Sequence, residues 1–184
     1  AVIKDLALFE LLEIHGPASV SSRFQDEISV SILDRAVGGM LQELQPNLFE
    51  DELARKVDFG HTFSYGLETH ADAHLLHGEA VLIDIVISSI IANVRNLLSD
   101  RELVRLFELV SKLGININSE LVTPELLWNT LEERTYHRNG LQRVPLPKGL
   151  GQCTFVNDIK FEEIQSACKI LEERKTNDEP IYQY

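Results

Sequence analysis

Apolar residues recur every three or four positions along most of the chain, a pattern that predicts a mainly helical fold. The first such stretch covers residues 2–12, and the His-Gly-Pro sequence at 15–17 predicts the end of that helix. Residues 18–22 are then expected to form a loop. Further helices are predicted at 28–44, in part of 53–67, and at 78–98, 100–113, 123–134 and 160–173.

Capping residues mark the start of two of these helices. Ser99 precedes two acids in the sequence Ser-Asp-Arg-Glu, and Thr123 precedes a proline, both of which are typical of helix N-termini. Between 141 and 158 the apolar period changes to two on either side of a Pro-Lys-Gly sequence, which predicts a short β-hairpin. We therefore expect a mainly α, multi-helix domain of about seven helices with one small β-hairpin at 1–174, followed by a polar tail at 175–184.

The charge balance and the apolar runs exclude some classes of partner. Seventeen basic and 29 acidic residues give a net charge of −12, and nucleic-acid binding depends on a basic surface, so we expect no nucleic-acid partner. The most apolar run, at 81–91, is interrupted by Asp84 and is shorter than the roughly 20 residues that cross a bilayer. We therefore expect neither a transmembrane helix nor a membrane partner. The N-terminus also lacks the basic segment of a signal peptide.

The two cysteines, Cys153 and Cys168, lack the C-x-x-C spacing of a redox or metal motif. So few thiols are typical of a reducing compartment, which favours buried thiols over a disulfide and a cytoplasmic location. The chain begins without Met, and we expect it to be a processed chain or a fragment.

Four of the six histidines fall within seventeen residues, from His61 to His77. His70 and His74 lie in the polar sequence T-H-A-D-A-H, which favours a solvated loop over a metal site. His61 and His77 stand where apolar segments begin, so both side chains could point inward. Their spacing alone is a weak indication of a metal site.

A zinc site built on His61 and His77 would be one ligand short, because catalytic zinc normally takes three protein ligands and keeps one position open. Glu68 and Glu79 are the local carboxylates that could supply the third ligand. The alternative is that each is an ordinary helix-start or surface acid. A ligand from outside this chain is the remaining source.

The sequences D-F-G-H-T-F-S at 58–64 and L-L-H-G-E-A-V at 75–81 resemble the paired signature of the sugar phosphate cyclases, the family of 3-dehydroquinate synthase. The opening helix and the hairpin region are similar to the same family, so the resemblance covers the whole chain. It implies the fold of the family's C-terminal helical domain, with His61 and His77 as ligands of Zn²⁺ or Co²⁺. The glutamate ligand and the NAD-binding domain of the family would precede Ala1.

The resemblance also implies the reaction and the assembly. In this family NAD transiently oxidises a substrate hydroxyl, phosphate is eliminated, and the re-reduced sugar closes to a carbocycle, with the metal acting as a Lewis acid. The upstream NAD-binding domain is then an obligatory partner, and this chain alone is expected to be inactive. A homodimer is expected because the family is dimeric.

Three positions depart from the 3-dehydroquinate synthase pattern. That pattern has Lys, Asn and His where this chain has Met40, Asp58 and Tyr65. A lost lysine and a gained carboxylate make the pocket hostile to a carboxylated substrate, since a desolvated anion needs cationic partners. Sedoheptulose 7-phosphate, with a hydroxymethyl group instead, suits an acceptor such as Asp58. The sequence M-L-Q-E-L-Q-P-N-L-F-E-D-E-L at 40–53, followed by V-D-F-G-H-T-F-S at 57–64, is similar to the 2-epi-5-epi-valiolone synthases, which make C7 cyclitols.

Other roles for these residues stay open. Asp58 could instead cap a helix, and Tyr65 could be an aromatic at the edge of the core, since those synthases usually have Pro there. Arg55 is a candidate substrate contact or a solvated surface charge. Asp58 and His137 are the candidate catalytic residues, and His137 could instead be a loop histidine.

The predicted function is thus that of the zinc-binding C-terminal domain of an NAD-dependent, phosphate-eliminating sedoheptulose 7-phosphate cyclase. One alternative is 3-dehydroquinate synthase itself, followed by the related metal-dependent polyol dehydrogenases. A non-catalytic helical domain that serves assembly is the alternative from another class.

Overall fold

The computed structural model describes residues 1–70, 75–115, 117 and 122–178, and within them it contains seven α-helices and one two-stranded antiparallel sheet. The mainly α fold with one small hairpin is therefore confirmed. The elements are α1 (Leu6–Ser21), α2 (Glu27–Leu44), α3 (Ser64–Thr69), α4 (His77–Val94), α5 (Asp100–Lys112), α6 (Pro124–His137), β1 (Val144–Pro147), β2 (Cys153–Val156) and α7 (Phe161–Asp178). Short 3₁₀ turns lie at Gln45–Asn47 and Lys56–Asp58.

Helix α4 is the centre of the core, as its nearly all-round apolar sequence predicts. It packs against α3, α5, α7 and β1, and most of its residues are buried. The helix ends at Val94, before the predicted residue 98. The run at 81–91 is shorter than a membrane span, but the 18-residue helix that contains it is apolar enough to cross a membrane by length and composition alone. Core helices meet the same criterion, and 56% of this helix is buried inside the protein.

The predicted helix starts are confirmed where capping groups mark them. Ser99 accepts a hydrogen bond from the Glu102 amide, and Glu102 accepts one in return from the Ser99 amide. Thr123 accepts a hydrogen bond from the Leu126 amide at the start of α6. Helix α6 continues beyond the predicted end to His137, which therefore lies on a helix and not in a loop.

The predicted end of α1 at Pro17 is wrong. The helix continues to Ser21, although a proline inside a helix removes one hydrogen bond and costs about 3 kcal/mol. Helix α1 packs against α2 and α5, and Gly16 is buried so closely there that a Cβ atom would lie 2.9 Å from Leu113 Cδ2. Tertiary packing thus outweighs the local signal, and the loop expected at 18–22 is mostly helical.

The hairpin has the predicted position. Its register pairs Val144 with Val156 and Pro147 with Cys153, and β1 is buried against α4. Cys153 and Cys168 are free thiols, as expected, and both are half-buried. Burial raises the pKa of each thiol to about 11, so both stay protonated near neutral pH. Helix α7 extends to Asp178, and the rest of the predicted tail lies outside the described residues.

A close contact between α3 and α6 generates the first prediction. A Cβ atom on Gly66 of α3 would lie 1.9 Å from Thr130 Oγ1 of α6. We expect Gly66→Ala to lower the free energy of unfolding by about 1–3 kcal/mol, because the two helices must separate. Urea unfolding of the chain measures this.

The matched control is Gly78→Ala, since a Cβ on Gly78 meets nothing within 4 Å. That variant should be neutral or more stable, because Ala is the better helix former. Adding Thr130→Ala to Gly66→Ala should restore part of the loss. Wild-type stability of Gly66→Ala would contradict the contact.

Candidate metal and substrate site

The two histidines of the predicted metal site lie side by side. His61 lies in the segment between the 3₁₀ turn Lys56–Asp58 and α3, and His77 is the first residue of α4. Their ring centroids are 5.5 Å apart and their planes are inclined by 53°. Both side chains are exposed on the surface of this chain, so neither points into the core as we had considered.

This separation fits two ligands of one zinc ion. At Zn–N distances of about 2.0–2.1 Å and tetrahedral angles, two imidazoles have ring centroids about 5 Å apart. Glu68 Oε1 lies 3.0 Å from His77 Nδ1. A carboxylate on one ring nitrogen fixes the tautomer and leaves Nε2 free, which is the usual arrangement of a zinc-binding histidine.

Neither local carboxylate is positioned as a third ligand. Glu68 contacts the His77 ring itself, and Glu79 Oε2 accepts a hydrogen bond of 2.8 Å from the Leu76 amide at the start of α4. Within the part of the chain that the structure describes, no three His, Cys, Asp or Glu side chains form a metal-binding group. His70 is exposed, and His74 lies outside the described residues. Within the described residues, the predicted ligands His61 and His77 therefore have no third ligand beside them.

A cavity of about 560 Å³ adjoins the histidine pair. It brings together three residues predicted from the sequence, His61, Tyr65 and His137, and Tyr65 is 64% exposed there rather than part of the core edge. Four lining residues were not predicted: Thr62, Thr130, Glu133 and Arg134. Thr130, Glu133 and Arg134 lie on the same face of α6 as His137, at the spacing i, i+3, i+4 and i+7. This spacing is visible in the sequence and could have identified them.

Two polar groups beside this cavity are buried without a hydrogen-bond partner among the described residues. They are the Thr62 hydroxyl and Nε of Arg134. Buried polar groups are nearly always hydrogen-bonded, and leaving one unpaired costs about 1–3 kcal/mol. A ligand rich in hydroxyl groups would supply partners for both.

Asp58 lies outside the cavity lining, in a cluster of arginines. Its carboxylate is 5% exposed and contacts Arg55 at 2.6 Å, Arg138 at 2.8 Å and Arg134 at 3.1 Å. Burial alone would raise the pKa of Asp58, but the hydrogen bond from Arg55 and the charges of Arg134 and Arg138 hold it below its usual range. Asp58 is therefore ionised near neutral pH.

This cluster changes the role expected of Asp58. Its oxygens already have guanidinium partners, so it does not cap a helix, and a substrate hydroxyl would share this carboxylate with the arginines. The argument that its charge repels a carboxylated substrate is wrong, because three cationic groups compensate that charge. Arg55 also pairs with Glu50, so it is not a solvated surface charge. Direct contact of Asp58 or Arg55 with a substrate stays a prediction.

Arg134 connects the cluster to the histidine pair. One terminal nitrogen donates to the backbone oxygen of His61 at 2.8 Å, and the other contacts Asp58. The backbone oxygen of Asp58 accepts a hydrogen bond of 2.9 Å from the His61 amide. Met40, by contrast, is 56% exposed on α2 and does not line the cavity, so its predicted substrate contact stays a prediction.

The sequence model of the 3-dehydroquinate synthase C-terminal family matches residues 1–135. The chain belongs to this family. The resemblance inferred from the two histidine motifs is thereby confirmed.

Individual relatives indicate which enzymes of this family the chain is similar to. The chain is 44% identical over 179 residues to a 2-epi-5-epi-valiolone synthase of Streptomyces albus, a match that covers 94% of this chain and 44% of the relative. Identity to a 3-dehydroquinate synthase of Prochlorococcus marinus is 31% over 171 residues, covering 92% of this chain and 46% of the relative.

A solved structure gives the same result. The chain superposes with a TM-score of 0.92 and 46% identity on ValA, a 2-epi-5-epi-valiolone synthase from Streptomyces hygroscopicus subsp. jinggangensis 5008 with NAD⁺ and Zn²⁺ bound. The match covers 95% of this chain and 48% of ValA. The chain thus spans less than half the length of the relatives that it matches.

The two glutamates near His77 generate the second prediction. Glu68→Ala should weaken zinc binding by about 10–100-fold, the usual effect of removing the partner of a ligating histidine. Glu79→Gln should keep wild-type zinc affinity, because its amide oxygen can still accept from the Leu76 amide. Zinc content of the full-length protein in metal buffers measures both, and zinc loss in Glu79→Gln would instead make Glu79 a ligand.

The arginine cluster generates the third prediction. Because the folded-state pKa of Asp58 is depressed, its contribution to stability is present above the unfolded pKa of about 3.9 and is lost as the pH falls through the folded value. Asp58→Asn should therefore lower the free energy of unfolding by about 3–5 kcal/mol at pH 7, with a smaller difference well below pH 4.

Urea unfolding across this pH range measures the effect. The exposed Asp51 is the control, and Asp51→Asn should change stability by less than about 0.5 kcal/mol at any pH. An Asp58→Asn deficit that is unchanged at low pH would mean that the charge of Asp58 is not what holds the cluster together.

Proposed function

We propose that this chain is the metal-binding C-terminal half of a sedoheptulose 7-phosphate cyclase of the 2-epi-5-epi-valiolone synthase type. The observation that carries the proposal is the pair of His61 and His77, whose ring centroids are 5.5 Å apart. His61 lines a cavity together with Tyr65, Arg134 and His137. The other half would bind NAD. This follows from ValA, which has NAD⁺ and Zn²⁺ bound and of which this chain matches 48%.

His61 and His77 would hold the zinc ion, and a third ligand would come from outside this chain. Zinc in such a site supplies Lewis-acid polarisation of substrate oxygens. Glu68 contacts the His77 ring at Nδ1, which leaves Nε2 as the nitrogen that would bind the metal. Arg134 and the backbone of Asp58 fix the His61 segment from two sides.

The cavity next to this pair suits a sugar. The unpartnered Thr62 hydroxyl and Arg134 Nε are a donor and acceptor set for ligand hydroxyl groups. His137 contributes an exposed imidazole, a group that commonly serves as a general acid or base, and its ring makes a T-shaped contact with Tyr136, which does not line the cavity. These residues would orient the sugar, and a bound NAD would supply the hydride chemistry.

The choice of sugar rests on the relatives rather than on Asp58. Identity of 44% to a 2-epi-5-epi-valiolone synthase against 31% to a 3-dehydroquinate synthase favours sedoheptulose 7-phosphate over the carboxylated heptulosonate. Met40 supports the same choice, because a thioether replaces the lysine that the resemblance assigns to a carboxylate. Homodimer formation and a cytoplasmic location stay predictions.

The fourth prediction tests the proposal directly. The full-length protein, supplied with NAD⁺ and Zn²⁺, should release inorganic phosphate from sedoheptulose 7-phosphate and not from the carboxylated precursor of 3-dehydroquinate. A colorimetric phosphate assay measures this, and NADH should not accumulate because the cofactor is regenerated in each turnover. Accumulation of NADH with a ketone product would identify a polyol dehydrogenase instead.

Variants link the activity to this site. His61→Ala should abolish phosphate release together with zinc binding, whereas His15→Ala, on α1 outside the cavity lining, should leave both unchanged. Release from the carboxylated sugar alone would assign the chain to 3-dehydroquinate synthase. Full activity of His61→Ala would overturn the proposed site.

A further inference from the structure

A buried carboxylate on α4 joins the two segments that carry the histidine pair. Asp84 is 0% exposed, and one of its oxygens, Oδ2, accepts hydrogen bonds from the amides of Phe63 and Ser64, the latter at 3.0 Å. Its other oxygen accepts from the Ser88 hydroxyl at 3.0 Å. Every hydrogen bond of this side chain is therefore made inside the protein, although a buried carboxylate is costly.

The partners of Asp84 lie beside the histidines in the sequence. Phe63 and Ser64 follow His61 by two and three residues, and Asp84 follows His77 by seven residues, or two helical turns, on the same face of α4. The amides belong to the start of α3, where the N-cap residue Phe63 makes no capping bond with its own side chain. A carboxylate from α4 thus performs the capping that α3 lacks.

The other contacts of the His61 segment complete this arrangement. The His61 carbonyl accepts from Arg134, and the His61 amide donates to the backbone oxygen of Asp58. Those contacts tie the segment to α6 and to the 3₁₀ turn, but neither reaches α4, which carries His77. Among these hydrogen bonds, the two to Asp84 connect the His61 segment to the helix that carries His77.

We propose that Asp84 is a positioning residue that fixes the His61 segment against α4 and so holds the two imidazoles at zinc-binding distance before the metal arrives. The inference rests on the proposed zinc site. Asp84 would thus raise the affinity for zinc through its hydrogen bonds to two backbone amides, in addition to contributing to the core.

The test uses the full-length protein and three variants. Asp84→Leu removes the acceptor at similar size, and its zinc affinity should fall at least about tenfold, the usual effect of losing an outer contact of a metal ligand. Asp84→Asn keeps an acceptor oxygen for the amides and can donate to Ser88, so it should keep wild-type affinity. Ile87→Ala, a buried residue of the same helix, is the control for general destabilisation.

Zinc affinity is measured in metal-buffered solutions, with thermal unfolding followed in parallel. A merely structural Asp84 predicts that Asp84→Leu and Ile87→Ala lose zinc affinity in proportion to their loss of thermal stability. The proposal instead predicts a loss of affinity in Asp84→Leu alone. Equal zinc affinity in Asp84→Leu and wild type would overturn the inference while leaving the proposed function intact. Failure of the wild-type protein to bind zinc would overturn both.

A measurement on the wild-type protein decides the case in which Asp84→Leu does not fold. Hydrogen exchange of the Phe63 and Ser64 amides, followed by NMR without zinc, should be as slow as exchange in the middle of α4. The same slow rates with zinc would mean that the segment is fixed before the metal binds. Fast exchange of these two amides in the zinc-free protein would overturn the proposal.

Discussion

The buried ion cluster around Asp58 is the interaction on which the rest of the site depends. A carboxylate that is 5% exposed contacts three guanidinium groups, two of which lie at the end of α6. Removing one member of such a cluster leaves buried charges without partners, which is far more destabilising than losing a surface pair. The cluster therefore fixes the last turn of α6 beside the His61 segment, and that turn carries Arg134 and His137 into the cavity wall.

Much of the fold could be predicted because its signals are local. Helices α5 and α6 begin where Ser99 and Thr123 indicate, since a capping bond spans only three residues. Helix α1 shows the limit of local signals. The sequence at Gly16 and Pro17 is typical of a helix end, but the packing of Gly16 against Leu113 overrides it, and a contact across that distance in the chain has no local signature.

The same distinction applies to the site. The histidine pair was found from two motifs, and the structure brings the two rings together. The environment of Asp58 could not be predicted, because its partner Arg134 lies 76 residues further along the chain. The spacing of Thr130, Arg134 and His137 does indicate one face of α6, but a helical face alone does not say what it meets. The error over Asp58 arose from counting its charge without those of its neighbours.

An ordered pair of ligands has a consequence for how the proposed enzyme would be built. Glu68 fixes the ring of His77, and Arg134 and Asp84 fix the segment that carries His61. The two side chains would therefore lose little conformational entropy when the metal binds. The described residues of this chain place two predicted ligands together, and a catalytic zinc takes three. In the proposed enzyme, the free energy of zinc binding would therefore be shared with the part that supplies the third ligand. By linkage, zinc would then strengthen the association of the two halves to the same extent that their association strengthens zinc binding. In the proposed enzyme, a metal held by His61, His77 and a residue of the NAD-binding half would therefore be fully ligated only when the two halves are correctly placed.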